Sequence, residues 1–106
     1  DRLGVLQDVH WSSGQIGTFC NYTIGNVMAG QLYETAVKDN AIADGLARAD
    51  YAPLRDWMTA HVHTHGRRYS RNELLLRATG RTLDPEPYIA HLTAKYSDIY
   101  GLAHAA

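Results

Sequence analysis

The chain has 106 residues, enough for one small domain with a modest hydrophobic core. Apolar residues make up 45 % and charged residues 20 %, which is ordinary for a soluble globular protein and too apolar for a disordered one. The formal net charge is -1, and no large cluster of Lys and Arg is present. Nucleic acid and anionic membranes are therefore not expected as partners, because both need a basic patch.

Three further observations bear on location and completeness. No apolar run approaches the ~20 residues that a membrane span needs. Cys20 is alone, which excludes an intrachain disulfide and fits a cytoplasmic location. The sequence begins at Asp1 rather than at a Met, so we expect a fragment of a longer chain or a processed product.

Helical periodicity dominates residues 22–106, and no segment shows the alternation typical of a strand. The first pattern, over residues 22–38, has apolar residues three and four positions apart on one face: Ile24, Val27, Met28, Leu32 and Ala36. A shorter helix is predicted over residues 40–48. A third begins at Pro53, which suits the first turn of a helix, and ends at Gly66.

Two more helices carry clear signals at their N-termini. Ser70 and Glu73 have the spacing of a capping box, and the helix that they open is predicted to end at Gly80. Asp84 is predicted to cap the last helix, with Pro85 at its first position. The apolar face of this helix comprises Tyr88, Ile89, Leu92, Tyr96, Ile99 and Tyr100. The sequence thus predicts an all-α fold of about five helices.

Residues 1–21 differ from the rest of the chain. Glycines interrupt any periodicity, and polar side chains crowd into a few positions: Gln7, Asp8, His10, Ser12 and Ser13. A glycine-rich polar segment that leads into a helix is a common arrangement for a binding loop on a rigid scaffold. The alternative is an irregular N-terminal arm, which composition alone favours.

A motif in this segment resembles a known signature. Residues 4–11, Gly4-Val5-Leu6-Gln7-Asp8-Val9-His10-Trp11, fit the pattern G-x-x-Q-D-x-H-W of the carboxypeptidase Taq family. Later segments are similar to family patterns in the same order: Tyr22-Thr23-Ile24-Gly25-Asn26, Gly66-Arg67-Arg68-Tyr69-Ser70, Ala78-Thr79-Gly80 and Leu83-Asp84-Pro85-Glu86-Pro87. The resemblance implies that residues 1–106 form one helical segment, the C-terminal lobe of a larger helical metallopeptidase of the gluzincin type. Residues 1–21 would line its groove, and residues 22–106 would form the lobe.

The resemblance also implies an activity and its partners. Members of the family are metal-dependent carboxypeptidases, which remove residues one at a time from peptide C-termini. They bind zinc, and in some cases cobalt, through H-E-x-x-H and a downstream Glu, with the motif Glu as general base. That motif is absent here, so we expect no metal site in this segment and no catalysis by the segment alone. The expected partners are a peptide substrate and the missing N-terminal part of the same enzyme, and the homodimer common in the family is an open expectation.

The resemblance assigns site roles to four residues. Three of them, Gln7, Asp8 and His10, lie in the motif of residues 4–11, and the fourth is Tyr22. In helical gluzincins a His and a Tyr opposite the metal stabilise the carbonyl oxygen of the substrate as it becomes negative. His10 occupies the position of the signature His and is expected to contact the transition state. Asp8 could orient His10 or line the same site, and Gln7 is a candidate hydrogen-bonding partner for substrate. Trp11 is expected to serve packing, and without the resemblance His10 itself would be taken as a structural His.

The chain departs from the family pattern at one informative place. Where the family usually has G-Y-F-P-S-Y, this sequence has Gly17-Thr18-Phe19-Cys20-Asn21-Tyr22. If the family Tyr at position 18 donates to the oxyanion, the hydroxyl of Thr18 is too short to replace it. We therefore expect either a slow parent enzyme or one that uses Tyr22 instead.

Two other functions are kept as alternatives. One is a non-catalytic helical interaction module derived from the same scaffold, which the Thr18 departure slightly favours. The other is a small metal-binding domain built on His61 and His65, which would lie one turn apart on the predicted helix. Val62 stands where H-E-x-x-H has its general base, so a structural role for both histidines is favoured over metal binding.

Overall fold

The fold is entirely helical over the residues that the computed structural model describes, which are residue 4 and residues 7–102. Within these residues, six α-helices follow one another: α1 (Val9–Ser12), α2 (Cys20–Ala36), α3 (Asn40–Ala47), α4 (Ala52–His61), α5 (Arg71–Thr79) and α6 (Glu86–Tyr100). A 3₁₀ turn, His63–His65, follows α4. The all-α prediction is confirmed. The additional helix is α1, within a segment expected to be irregular, and it forms because the Asp8 carboxylate caps its N-terminus.

Helix α2 is the central element, and α5 and α6 both pack against it. Its apolar stripe is half-buried to buried, and Ala36 at its end is 1 % exposed. The approach of α6 is closest at Gly30, where a Cβ would lie 3.1 Å from the Cα of Tyr88. Glycine therefore allows the close crossing of α2 and α6, because a Cβ there would require the neighbouring backbone to move by a few tenths of an ångström.

Helices α3 and α4 form a second packed pair. Ile42 and Gly45 on α3 are buried, and a Cβ on Gly45 would lie only 2.8 Å from the carbonyl oxygen of Asp50. Helix α4 begins where Pro53 predicts, but its predicted end at Gly66 is wrong. The helix ends at His61, because Val62 leaves the helical region with φ -126° and ψ -62°.

The boundaries of α5 and the start of α6 test further predictions. The capping box of Ser70 and Glu73 is present, and α5 ends before Gly80, whose φ is +78°. The predicted start of α6 is off by one residue, since Pro85 is the N-cap rather than the first helical residue. Asp84 nonetheless contributes, because its Oδ1 accepts a hydrogen bond of 3.0 Å from the backbone N–H of Glu86.

The hydrophobic core of this segment is small. Its buried apolar residues are Ala36, Ile42, Leu75 and Ala78. The predicted apolar face of α6 is largely open, since Ile89, Tyr96, Ile99 and Tyr100 are exposed. The radius of gyration is 17.5 Å, whereas a compact domain of this length has about 13 Å. Within the described part of the chain, no helix has both the length and the apolar character to cross a membrane.

Candidate active site

The site begins with the cap of α1. The Oδ1 atom of Asp8 accepts hydrogen bonds from the backbone N–H groups of His10, at 2.8 Å, and Trp11, at 3.2 Å. The same oxygen lies 3.2 Å from Nδ1 of His10. Desolvation of Asp8 raises its pKa, but the donors of Trp11 and His10 outweigh it, so the net pKa is lowered and Asp8 is ionised at neutral pH.

Tyr22 reaches the other side of the His10 ring from the first turn of α2. Its hydroxyl oxygen lies 2.8 Å from Nε2 of His10, and the two rings stand nearly perpendicular at 89°. A carboxylate beside Nδ1 favours the tautomer with the proton on that nitrogen. Nε2 then accepts a hydrogen bond from the Tyr22 hydroxyl, and Asp8, His10 and Tyr22 form one continuous chain of hydrogen bonds.

Aromatic packing holds the His10 ring in this position. The ring centroid of Phe19 lies 5.1 Å from that of His10 and 5.8 Å from that of Trp11. Trp11 remains 41 % exposed and contacts Phe19, in line with the packing role expected of it. Contacts on three sides thus fix the ring of His10 between Asp8, Phe19 and Tyr22.

A surface cleft of about 320 Å³ opens beside this chain. Its lining residues are His10, Gln15, Thr18, Asn21 and Tyr22. The cleft contains two groups that could meet a substrate oxygen: the hydroxyl of Tyr22, which is a donor, and Nε2 of His10, which donates only when the imidazole is protonated on both nitrogens. The Thr18 hydroxyl also faces this region, but it donates to the carbonyl of Gln15 at 3.0 Å.

The structure brings three of the four sequence-predicted site residues together. Asp8, His10 and Tyr22 are in contact, whereas Gln7 is exposed and is not among the residues that line the cleft. The sequence reasoning did not identify Gln15 and Asn21, which do line it. The available signal was the pair Gly14 and Gly17, whose φ angles of +69° and +85° turn the chain back toward α1.

His61 and His65 do not form a metal-binding pair on one helix. His61 is the last residue of α4, and its ring stacks on Trp57 at a centroid distance of 4.5 Å. His65 lies in the 3₁₀ turn beyond the helix and meets the ring of Tyr69. Among the described residues, no group of three or more His, Cys, Asp or Glu side chains is placed to hold a metal ion. The side chains described here therefore do not fit a catalytic metal.

Comparison with known proteins identifies the family. Residues 1–96 match the family model "Carboxypeptidase Taq (M32) metallopeptidase". Thermostable carboxypeptidase 1 of Thermus thermophilus is 37 % identical over 92 % of this chain. Carboxypeptidase 1 of Bacillus subtilis is 38 % identical over 94 % of it. The chain belongs to the carboxypeptidase Taq (M32) family, and the resemblance in its motifs is confirmed.

A solved structure shows the same fold. The M32 carboxypeptidase from Deinococcus radiodurans superposes with a TM-score of 0.81 at 44 % identity, over 92 % of this chain. The alignment takes in only 20 % of that chain. Similarly, the chain spans about a fifth of the length of the curated relatives, 19 % and 20 % for the two carboxypeptidases named above.

Proposed function

We propose that this chain is part of a metal-dependent carboxypeptidase and that it supplies one wall of the active site. Membership of the M32 family and the carboxypeptidases among its relatives support this function. The observation that carries it is the chain of hydrogen bonds from Asp8 through His10 to Tyr22, beside an open cleft. The substrate would be a peptide, and hydrolysis would release its C-terminal residue.

The roles of the three residues follow from their geometry. When water adds to a peptide carbonyl, the oxygen becomes an anion that positioned donors stabilise. His10 would be the catalytic residue that contacts this oxygen through Nε2. Tyr22 would donate from its hydroxyl to the same oxygen and so bind the substrate. Asp8 would act through His10, since its carboxylate holds the ring in place from Nδ1. Gln7, which lies outside the cleft, would contact a more distant part of the peptide.

Tyr22 is also our candidate for the hydroxyl that is lost where Thr18 replaces the Tyr of the family pattern. The hydroxyl of Thr18 is already a donor to the carbonyl of Gln15, whereas Tyr22 reaches Nε2 of His10 directly. We propose that Tyr22 supplies the hydroxyl that the family Tyr at position 18 would supply. The segment keeps the chemistry of the family by a different residue, which favours the enzyme over a non-catalytic interaction module.

The metal would be held by another part of the enzyme, with zinc, or cobalt, as the proposed ion. We propose that the segment alone is inactive, because its described side chains form no metal site and the sequence lacks H-E-x-x-H. An exposed thiol at Cys20 fits the reducing cytoplasm, the proposed location.

The remaining polypeptide is the proposed partner of this segment. An open apolar groove of about 990 Å³ runs between α2, α4 and α6. Its walls include Met28, Leu32, Leu54, Met58 and Tyr88. The groove is lined mainly by apolar side chains, and the chain spans only about a fifth of its curated relatives. We propose that the rest of the enzyme covers the groove and that the isolated segment therefore dimerises or aggregates.

The test uses the complete enzyme, meaning the longer polypeptide that we propose contains this segment. Release of the C-terminal residue from blocked peptides is measured for His10→Ala and Tyr22→Phe. Each variant should lower kcat by ~10²–10³, the typical contribution of one donor to an oxyanion. His63→Ala and Tyr51→Phe are the matched controls, since both residues are exposed and lie outside the cleft.

The outcomes separate the carboxypeptidase from the non-catalytic interaction module. Loss of activity in the two site variants and not in the controls would support the proposed active site. If the complete protein binds a divalent metal yet releases no C-terminal residue, the proposed carboxypeptidase function is contradicted. Site variants as active as their controls would show that His10 and Tyr22 do not touch the reacting atoms.

A further inference from the structure

We propose that Gln15 and Asn21 form a subsite that binds an uncharged amide group of the peptide substrate. This inference rests on the proposed carboxypeptidase function and adds to it the chemistry of the group beside His10. The two residues line the same cleft as His10 and Tyr22. The amide would belong either to the peptide backbone next to the cleaved bond or to an Asn or Gln side chain of the substrate.

Short backbone hydrogen bonds hold this subsite against His10. The backbone N–H of Gln15 donates to the carbonyl of His10 at 2.8 Å. The hydroxyl of Thr18 donates to the carbonyl of Gln15, and the backbone N–H of Asn21 donates to the carbonyl of Thr18 at 3.1 Å. These hydrogen bonds hold the backbone of Gln15 and Asn21 at the rim of the cleft that His10 lines.

The chemistry of the two side chains suits an amide ligand. Each carries one carbonyl acceptor and one NH₂ donor. Within residues 7–102, neither side chain has a hydrogen-bond partner, so both are available to a ligand in the cleft. A peptide group has one donor and one acceptor, and a side-chain amide can pair with both. The cleft of about 320 Å³ lies near the lower limit of ligand pockets, about 300 Å³.

A carboxylate is a poor ligand for the same cleft. Its five lining residues include neither Lys nor Arg, and a carboxylate that leaves water needs a cation or several charge-assisted hydrogen bonds. His10 does not provide a free cation, because Asp8 lies against its Nδ1. The C-terminal carboxylate of the substrate therefore binds outside these residues, and the cleft takes an interior, uncharged part of the peptide.

The experiment uses the complete enzyme and three blocked peptides with the same C-terminal residue. The first has Ala beside that residue, the second has Gln there, and the third has Ala with its peptide nitrogen methylated. The variants are Gln15→Ala, Asn21→Ala and Asn21→Asp. Asn72→Asp is the matched control, since Asn72 is exposed on α5 and far along the chain from the cleft. Unfolding temperatures confirm that each variant is folded.

The expected result is a loss that depends on the substrate. Removal of one uncharged hydrogen bond lowers kcat/KM by about 3- to 10-fold. If the backbone is bound, Asn21→Ala or Gln15→Ala lowers kcat/KM for the first two peptides and leaves the methylated peptide unaffected. If a side-chain amide is bound, the loss is confined to the Gln peptide. Either pattern supports the subsite and identifies the source of the amide, as a merely structural role would lower all three values alike.

Two results would overturn the inference, and they are distinguishable. The amide subsite alone would be refuted if the wild-type enzyme were active on all three peptides while the variants behaved like Asn72→Asp. It would also be refuted if the variants lowered kcat/KM equally on every peptide. A wild-type enzyme that releases no C-terminal residue from any peptide would refute the proposed function, and the subsite with it.

Discussion

The buried side chain of Gln31 offers the sharpest test of how this fold is held together. Gln31 is 0 % exposed on α2. Its Nε2 donates to Oγ1 of Thr79 at 2.9 Å and to the carbonyl of Thr82 at 2.9 Å. Its Oε1 accepts from the backbone N–H of Asp84 at 3.1 Å. One side chain thus ties α2 to the connection between α5 and α6, and Gln31→Leu would remove all of these bonds at nearly constant volume.

The magnitude follows from the groups left behind. A buried donor or acceptor without a partner costs about 1–3 kcal/mol. Asp84 is half-buried as a residue, while Thr82 is exposed and water can replace part of its lost bond. We therefore expect the free energy of opening this connection to fall by about 2–4 kcal/mol. That corresponds to amide exchange about 30- to 1,000-fold faster, at 1.36 kcal/mol per factor of ten.

The assay is hydrogen–deuterium exchange of the complete protein, followed by mass spectrometry on the peptide that spans residues 79–86. Glu34→Gln is the control on the same helix, because Glu34 pairs with Arg81 on the surface and such exposed pairs contribute at most about 1 kcal/mol. If Gln31→Leu exchanged no faster than Glu34→Gln, the buried amide would not be what holds the connection.

Four further predictions concern single positions. Gly45→Ala should lower the free energy of unfolding by about 1–3 kcal/mol, because its Cβ would lie 2.8 Å from the carbonyl oxygen of Asp50; an unchanged urea midpoint would contradict this. Ser70→Ala should cost about 1 kcal/mol through the lost cap, and faster exchange should be confined to α5. The Ser70 hydroxyl and backbone N–H lower the pKa of Glu73, so its stabilisation is present above the ordinary value of 4.5 and is lost as pH falls through the lower folded-state pKa. Ser70→Ala should weaken that acid dependence in a urea series, because the hydroxyl is lost while the backbone N–H still donates to Glu73; an unchanged acid dependence would refute the assignment. Thr18→Tyr should leave kcat unchanged, because Tyr22 already supplies the hydroxyl at His10; a gain of about 10²-fold would contradict this.

Local signals were enough for most helix boundaries. The capping box at Ser70 and Glu73 acts within four residues, and Gly80 ends α5 through its own backbone conformation. The prediction failed at the end of α4, where the apolar stripe continued to Val62 while the backbone left the helix. Periodicity shows which residues share a face, but it does not show where the backbone leaves the helical conformation.

Prediction of the candidate site depended both on local sequence signals and on tertiary contacts. The motif of residues 4–11 marked Asp8 and His10, and the Asp8 cap of α1 is a local interaction that the sequence could have revealed. The contact between His10 and Tyr22 joins residues 12 positions apart, and it requires the two turns at Gly14 and Gly17. For Gln15 and Asn21 the sequence offered only the indirect signal of Gly14 and Gly17, because their position relative to His10 is set by the turns at those glycines.

The sequence by itself determined the family and the helical class and placed His10 within the signature motif, since these are recorded in residue types at fixed spacing. Only the tertiary structure decided the role of Gln31, whose partners lie 48 to 53 positions away. A glutamine on a helix is ordinarily a surface residue, and nothing in its neighbours along the chain distinguishes this one. Its burial arises because α5 and α6 pack over α2 and bring backbone groups of their connection, the carbonyl of Thr82 and the N–H of Asp84, against its amide.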